Sequence, residues 1–150
     1  MIEKVKIRMA IDVLPLLKRW KRQRQENFIA ITLDASHSVI KVHHISKGTA
    51  NKCIVHPRES FWPAIKDNAV AIIFAHNHPS GSTEPSMEDE KLTERLCMAG
   101  AILGIHVLDH IIFTSCDSHS SCMSTKMRQA VYDDYNQYSL RRFVDEIAYK

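Results

Sequence analysis

The chain has 150 residues, 45% hydrophobic and 25% charged, with a formal net charge of +3. That balance describes one globular domain able to bury a core without a disulfide scaffold, and it argues against extended disorder. No apolar run approaches the roughly 20 residues of a membrane span, and the first 26 residues lack the continuous apolar stretch and small-residue cleavage site of a signal peptide, so the cytoplasm is the expected compartment.

The first 25 residues are basic, with Lys4, Lys6, Arg8, Lys18, Arg19, Lys21, Arg22 and Arg24 against Glu3 and Asp12; this gives +6 and leaves −3 on the rest. Asp12 is a candidate helix cap, and Val13, Leu16, Leu17 and Trp20 recur at helical spacing. A short amphipathic helix is expected there. Its charged face is read as solvated, with a weak contact to nucleic-acid phosphates as the alternative.

From Asn27 two β-rich runs flank the polar Asp34–Ser38 stretch, the pattern of a hairpin. Residues 56–68 have helical character; Pro57 can open a helix, and Pro63 must stand near a start or make a kink. Residues 69–76 form a continuous apolar run, read as a central strand covered on both sides. Ligands in open α/β sheets gather at the ends of such strands.

From Met87 a helix is expected with Leu92, Leu96, Ala99 and Leu103 as its buried stripe and Gly104 as its stop. Residues 105–113 read as a further strand and the polar residues 116–122 as a turn or loop. One or two terminal helices follow. The domain reading is a basic helical leader over 1–25, a core over 26–123, and a helical extension over 124–150 packed on it.

The chemistry is concentrated between Ala75 and Glu90. His76 and His78 are two residues apart, so in extended backbone both imidazoles project from one side. Zinc takes nitrogen, sulfur and carboxylate ligands, and a catalytic site keeps a fourth position for water. Asp89 falls three residues before Leu92 and seven before Leu96, continuing the buried stripe to the first turn of the helix. A buried carboxylate there needs a compensating partner, which a cation held by His76 and His78 would be. Ser86 has two compatible readings: a cap for the helix, and a hydroxyl donor to a developing oxyanion.

The order His76-Asn77-His78, seven residues, Ser86, two residues, Asp89 resembles the JAMM signature of the JAB/MPN metallopeptidases. Residues from about Glu26 to Phe113 resemble the JAB domain of the RadC family more specifically, in "AVAIIFAHNHPSG" and "LTERLCMAGAILGIHVLDHIIF". The resemblance implies an α/β fold, a mixed sheet flanked by helices in the cytidine-deaminase-like arrangement, with Zn²⁺ on His76, His78 and Asp89. It also implies that Glu26, at the opening of the first strand, is a general base, and that the reaction is hydrolysis of an amide or isopeptide bond in a protein or peptide.

Full-length members often carry an N-terminal helix-hairpin-helix-like region, for which residues 1–25 are too short. Residues 118–124 stand where the family has a short aromatic strand, and the helical tail over 124–150 is longer than expected, a candidate surface for self-association or a partner. The alternative function is a non-enzymatic DNA- or protein-binding module with a zinc site, associated with DNA repair. Nucleobase deamination is discounted, because it needs H-x-E and P-C-x-x-C where this chain has H-N-H and no CxxC. Cys116, His119 and Cys122 are a weaker candidate for a second metal, His43 and His44 should point to opposite sides of a strand, and Asp109-His110 is a candidate support for the zinc ligands.

Overall fold

The computed structural model describes residues 4–48 and 55–134. A five-stranded mixed sheet runs in the order β2-β1-β3-β4-β5, with β1 Asn27–Leu33, β2 Val39–Lys47, β3 Ala71–Asn77, β4 His106–Phe113 and β5 His119–Ser121. The hairpin expected around residues 34–38 is present, closed by His37 in the left-handed region at φ 59° while the Asp34 carboxylate accepts the N–H groups of Ser36 and Ser38. β1 lies antiparallel to β2 and to β3, and β3 runs parallel to β4. Every residue of β1 and β3 is buried. Apolar side chains on both faces of these strands require cover on both faces.

One face is covered by α1 Pro57–Lys66 and α2 Met87–Leu103; its core joins Phe28, Phe61, Ile72, Phe74, Leu96 and Val107. The opposite face packs Ile29, Ile31, Ile73, Ile111 and Phe113 against Val13, Leu17 and Trp20 of the N-terminal segment. Residues 7–20 therefore share a core with the sheet. The helix expected there is a 3-10 helix over Ala10–Leu17. Asp12 does cap it through its side chain, but from within the first turn and not from the position before it: its carboxylate accepts the N–H groups of Arg8 and Met9 at 2.8 and 3.0 Å. Arg19 lies over the Trp20 ring and Lys21 pairs with Asp117 at 2.5 Å, while Lys18, Arg22 and Arg24 stay exposed.

Pro57 opens α1, and Pro63 stands inside it. In α2 the buried stripe differs from the expected one. Thr93, Leu96, Cys97 and Gly100 are buried, Leu92 and Ala99 flank them, and Leu103 is 47% exposed. Thr93 can turn inward because its hydroxyl bonds the Asp89 carbonyl one turn back at 2.6 Å, so a polar residue is satisfied where hydrophobicity alone would place a leucine. Gly104 ends the helix at φ 70°, its N–H bonding Ala101 and Gly100 carbonyls.

The segment read as a loop around residues 116–122 contains the edge strand β5, which pairs antiparallel with β4 through Ile111, Ile112 and Phe113. Three short serine- and histidine-containing residues carry no β signal of their own; the strand exists because β4 offers a free edge. Beyond it, α3 Thr125–Asp134 begins the expected C-terminal extension. Met127 packs on the core, and Arg128 bonds the Asp109 carboxylate and Ser121 Oγ. The extension beyond residue 134 lies outside the described residues. Among the described residues no helix is long and apolar enough to cross a membrane.

Candidate metal centre

β3 ends at Asn77, and its parallel neighbour β4 ends alongside it at Phe113. His76 is the last inward residue of β3 on the α2 face, 3% exposed. His78 follows the strand and stays in register because its N–H bonds the Phe113 carbonyl at 3.0 Å. The chain then turns through Gly81, at φ 84°, where a side chain would be strained. This turn is tied to β5 by Ser120 Oγ donating to the Thr83 carbonyl.

Ser86 starts α2 as a reciprocal cap. Its Oγ accepts the Asp89 N–H at 3.1 Å, and the Asp89 carboxylate accepts the Ser86 N–H at 2.9 Å. Both partners thereby satisfy first-turn donors, and the bond holds Asp89 facing the strand. Asp89 Oδ1 lies 3.3 Å from His76 Nε2, Asp89 Oδ2 lies 3.3 Å from His78 Nε2, and the two Nε2 atoms are 2.9 Å apart.

Donors held about 2.0–2.2 Å from a tetrahedral ion sit roughly 3.3–3.6 Å apart, so the triad is close to that spacing and slightly contracted. The protons make the fit stricter. The His78 Nδ1 faces the Ser82 carbonyl at 2.8 Å, so that nitrogen carries the hydrogen and neutral His78 turns a lone pair inward. Thr93 spends its hydroxyl hydrogen on the Asp89 carbonyl, so it accepts from His110 Nδ1 at 2.6 Å. The His110 Nε2 is then an acceptor, and His76 Nδ1 donates to it at 2.8 Å. Neutral His76 also directs a lone pair inward. Two lone pairs and a carboxylate thus converge on one point, an arrangement that calls for a cation there.

The titration directions agree. Burial would raise the Asp89 carboxyl, but His76 and His78, which donate to it when protonated, outweigh the burial and hold Asp89 far below the ordinary carboxylate range. His78 is raised, chiefly by its bond to Asp89 and against its own burial. Complete burial keeps His110 neutral, its pKa well below the ordinary imidazole value.

A second set of donor atoms, His76, His110 and Cys122, also lies close together. Burial first, and the Asp89 charge next, push the Cys122 thiol up to about 12, so it retains its proton. In this set His76 Nδ1 and His110 Nε2 are engaged with each other, and a metal would have to displace the thiol proton as well. Cys116, His119 and Cys122 do not converge as a donor group. His43 and His44 diverge as alternation requires: His43 bonds Asp67 at 2.6 Å, and His44 stacks on Trp20.

Glu26 immediately precedes β1 and is partly buried. Its charge is close enough to contribute to the rise at His78. The structure therefore brings His76, His78 and Asp89 together, with Ser86 bonded to Asp89 and Glu26 near enough for its charge to act on His78. Sequence reasoning did not find Thr93. His110 was a candidate support only, because the geometry aiming it at His76 is a bulge. Ile72 pairs with Val107 but Ile73 pairs with Asp109; the extra residue, Leu108, turns His110 rather than Asp109 toward His76.

The profile of the RadC-like JAB domain family matches residues 7–129. Among curated proteins the chain is 52% identical over 89 residues to a UPF0758 protein of Trichlorobacter lovleyi, covering 59% of this chain and 39% of that protein. It is 51% identical over 107 residues to a UPF0758 protein of Finegoldia magna, covering 71% and 45%, and 47% identical over 110 residues to one from Methanococcoides burtonii, covering 73% and 48%. The chain spans less than half the length of these relatives.

Proposed function

The chain belongs to the RadC-like JAB domain family, and from that premise we propose that it is a zinc-dependent hydrolase of amide or isopeptide bonds, with His76, His78 and Asp89 as metal ligands. The observation that carries the reading is the convergence of two imidazole lone pairs and one carboxylate, from a strand end and a helix start. Three protein ligands are the complement of a catalytic zinc site, whereas a structural site has four.

Zinc held there would supply a Lewis acid and make a water acidic enough to lose a proton near neutral pH. Glu26 accepts that proton and returns it to the leaving amine as the bond breaks. Ser86 uses a lone pair of Oγ for the helix cap, which leaves its O–H free to donate to the oxygen that gains charge. His110 and Thr93 hold His76 in the tautomer that binds. The substrate class is a protein or peptide.

The test is cleavage of peptide and isopeptide substrates by the zinc-loaded chain, with loss of cleavage on chelation. Glu26→Gln should bind zinc and fail to hydrolyse, whereas His76→Ala should lose both. Full hydrolysis by Glu26→Gln would remove the base from the scheme, and cleavage that survives complete chelation would remove the metal.

A further inference from the structure

Asn77 stands between the two histidines and, by strand alternation, points to the opposite face of the sheet. It is 1% exposed, and its amide is spent on one short stretch of backbone. Oδ1 accepts the Asn27 N–H at 2.7 Å. Nδ2 donates to the Gln25 carbonyl at 3.0 Å and to the Gln23 carbonyl at 3.3 Å. Asn27 reinforces the contact: its Nδ2 donates to the Gln25 carbonyl at 2.9 Å, and its Oδ1 meets His44 Nε2 at 2.9 Å. Gln25 and Asn27 are the two neighbours of Glu26, whose own carbonyl accepts the Gly48 N–H at 2.9 Å.

The stretch offers one N–H and two carbonyls, and a carboxamide is the side chain with the matching inventory of one acceptor oxygen and two donor hydrogens. Aspartate would set a carboxylate against two carbonyl oxygens, and serine has one donor and a shorter reach. Because Asn77 is covalently joined to His76 and His78, any shift of the ligand strand is passed to the backbone on both sides of Glu26. A displacement of about 1 Å between reacting groups can cost on the order of 100-fold in rate.

We propose that Asn77 is a positioning residue that clamps the Glu26 backbone to the histidine strand, so that base and metal ligands hold a fixed separation. The proposal rests on the assignment of Glu26 as base. Its consequence is that the middle residue of His-Asn-His acts through Glu26 and not through the metal.

The full chain is tested with Co²⁺ as paramagnetic probe in place of zinc. Asn77→Ala should bind zinc within about threefold of the parent, well short of the roughly 10–100-fold loss typical when a ligand's support is removed. The pseudocontact shifts of the Glu26 amide and methylenes should shrink and the Asn27 amide should exchange at least about tenfold faster, as expected when a buried hydrogen bond opens locally. Where hydrolysis is measurable, kcat should fall by about 100-fold with KM unchanged. Asn77→Ser, keeping one donor, serves if the alanine variant does not fold, and should give the same shifts at smaller size. Parental Glu26 shifts and Asn27 exchange in these variants would overturn the clamp. A parent chain that never hydrolyses a peptide would sink the hydrolase reading but leave the Co²⁺ measurement to judge the clamp alone.

Discussion

His76 Nδ1 lies 2.8 Å from His110 Nε2, and this contact between two buried rings decides which nitrogen of His76 faces Asp89. The decision is made two bonds away, at the Thr93 hydroxyl. Thr93→Val leaves His110 Nδ1 without an acceptor and frees the ring to reverse its tautomer, which would place hydrogens where lone pairs now point. We expect zinc affinity to fall by about 10–100-fold in Thr93→Val and to recover in Thr93→Ser. Chelator competition measures it, and 15N shifts of the zinc-free His76 ring report the tautomer; parental affinity in the valine variant would contradict the relay.

The two roles of Ser86 separate by substitution. Ser86→Ala removes the cap acceptor and should cost about 1 kcal/mol of stability, while Ser86→Gly should cost only a few tenths. If the hydroxyl also donates to the oxyanion, both variants should lose hydrolysis to a similar extent, about 100-fold or more in kcat. A glycine variant with parental kcat would leave Ser86 as a cap alone.

Gly100 is buried in α2 with no room for a methyl group. A Cβ there would stand 2.5 Å from the Ile105 carbonyl oxygen, 3.1 Å from Val107 Cγ2 and 3.3 Å from Phe61 Cζ. Alanine gains up to about 1 kcal/mol in helix propensity, but the backbone oxygen cannot move aside as a side chain can. Overpacking costs about 1–3 kcal/mol, so Gly100→Ala should lower the melting temperature by several degrees. An unchanged or higher value would show that α2 can slide on the sheet.

Acidity should act in opposite directions on the zinc-free and zinc-bound protein. The His78 pKa is raised in the folded chain, first by its bond to Asp89. Its contribution to zinc-free stability is therefore complete below the unfolded imidazole value near 6.5 and lost as pH rises through the higher folded value. Zinc competes with that proton, so its affinity should climb over the same interval. Thermal melts across pH 6–9 with and without zinc should show the two slopes, and His78→Gln should flatten the zinc-free one. A zinc-free melting curve that rises through this interval would contradict the His78 assignment.

Much of the scaffold was legible because its signals are local. The β-rich runs on either side of Asp34–Ser38, the apolar run ending at His76, Ser86 three residues before Asp89, and Gly104 after α2 each specify their structure through neighbours in sequence. The spacing of His76, His78 and Asp89 was legible for the same reason. What escaped depends on contacts across the sheet. Thr93 is polar and buried, so hydrophobic periodicity placed the inward face of α2 on Leu92, Ala99 and Leu103 instead. β5 forms on an edge that only the assembled sheet provides. The Asn77 contacts join residues about 50 positions apart, and no local pattern marks them.

Leu108, the extra residue in β4, reverses the alternation of the strand between Val107 and His110. With the bulge, Val107 and His110 both serve the α2 side; a strand in which Leu108 paired regularly with Ile73 would instead set Asp109 opposite Phe74, a carboxylate where the imidazole now meets His76. A carboxylate could still accept the His76 hydrogen, but it would add a negative charge beside Asp89 and sever the link to Thr93. Deleting Leu108 should therefore preserve the facing, because Val107 and His110 then stand two apart in regular alternation, whereas deleting Leu108 and Asp109 together should turn His110 to the opposite face. Which neighbour supports the zinc ligand is thus set by one bulged residue that is not itself part of the site.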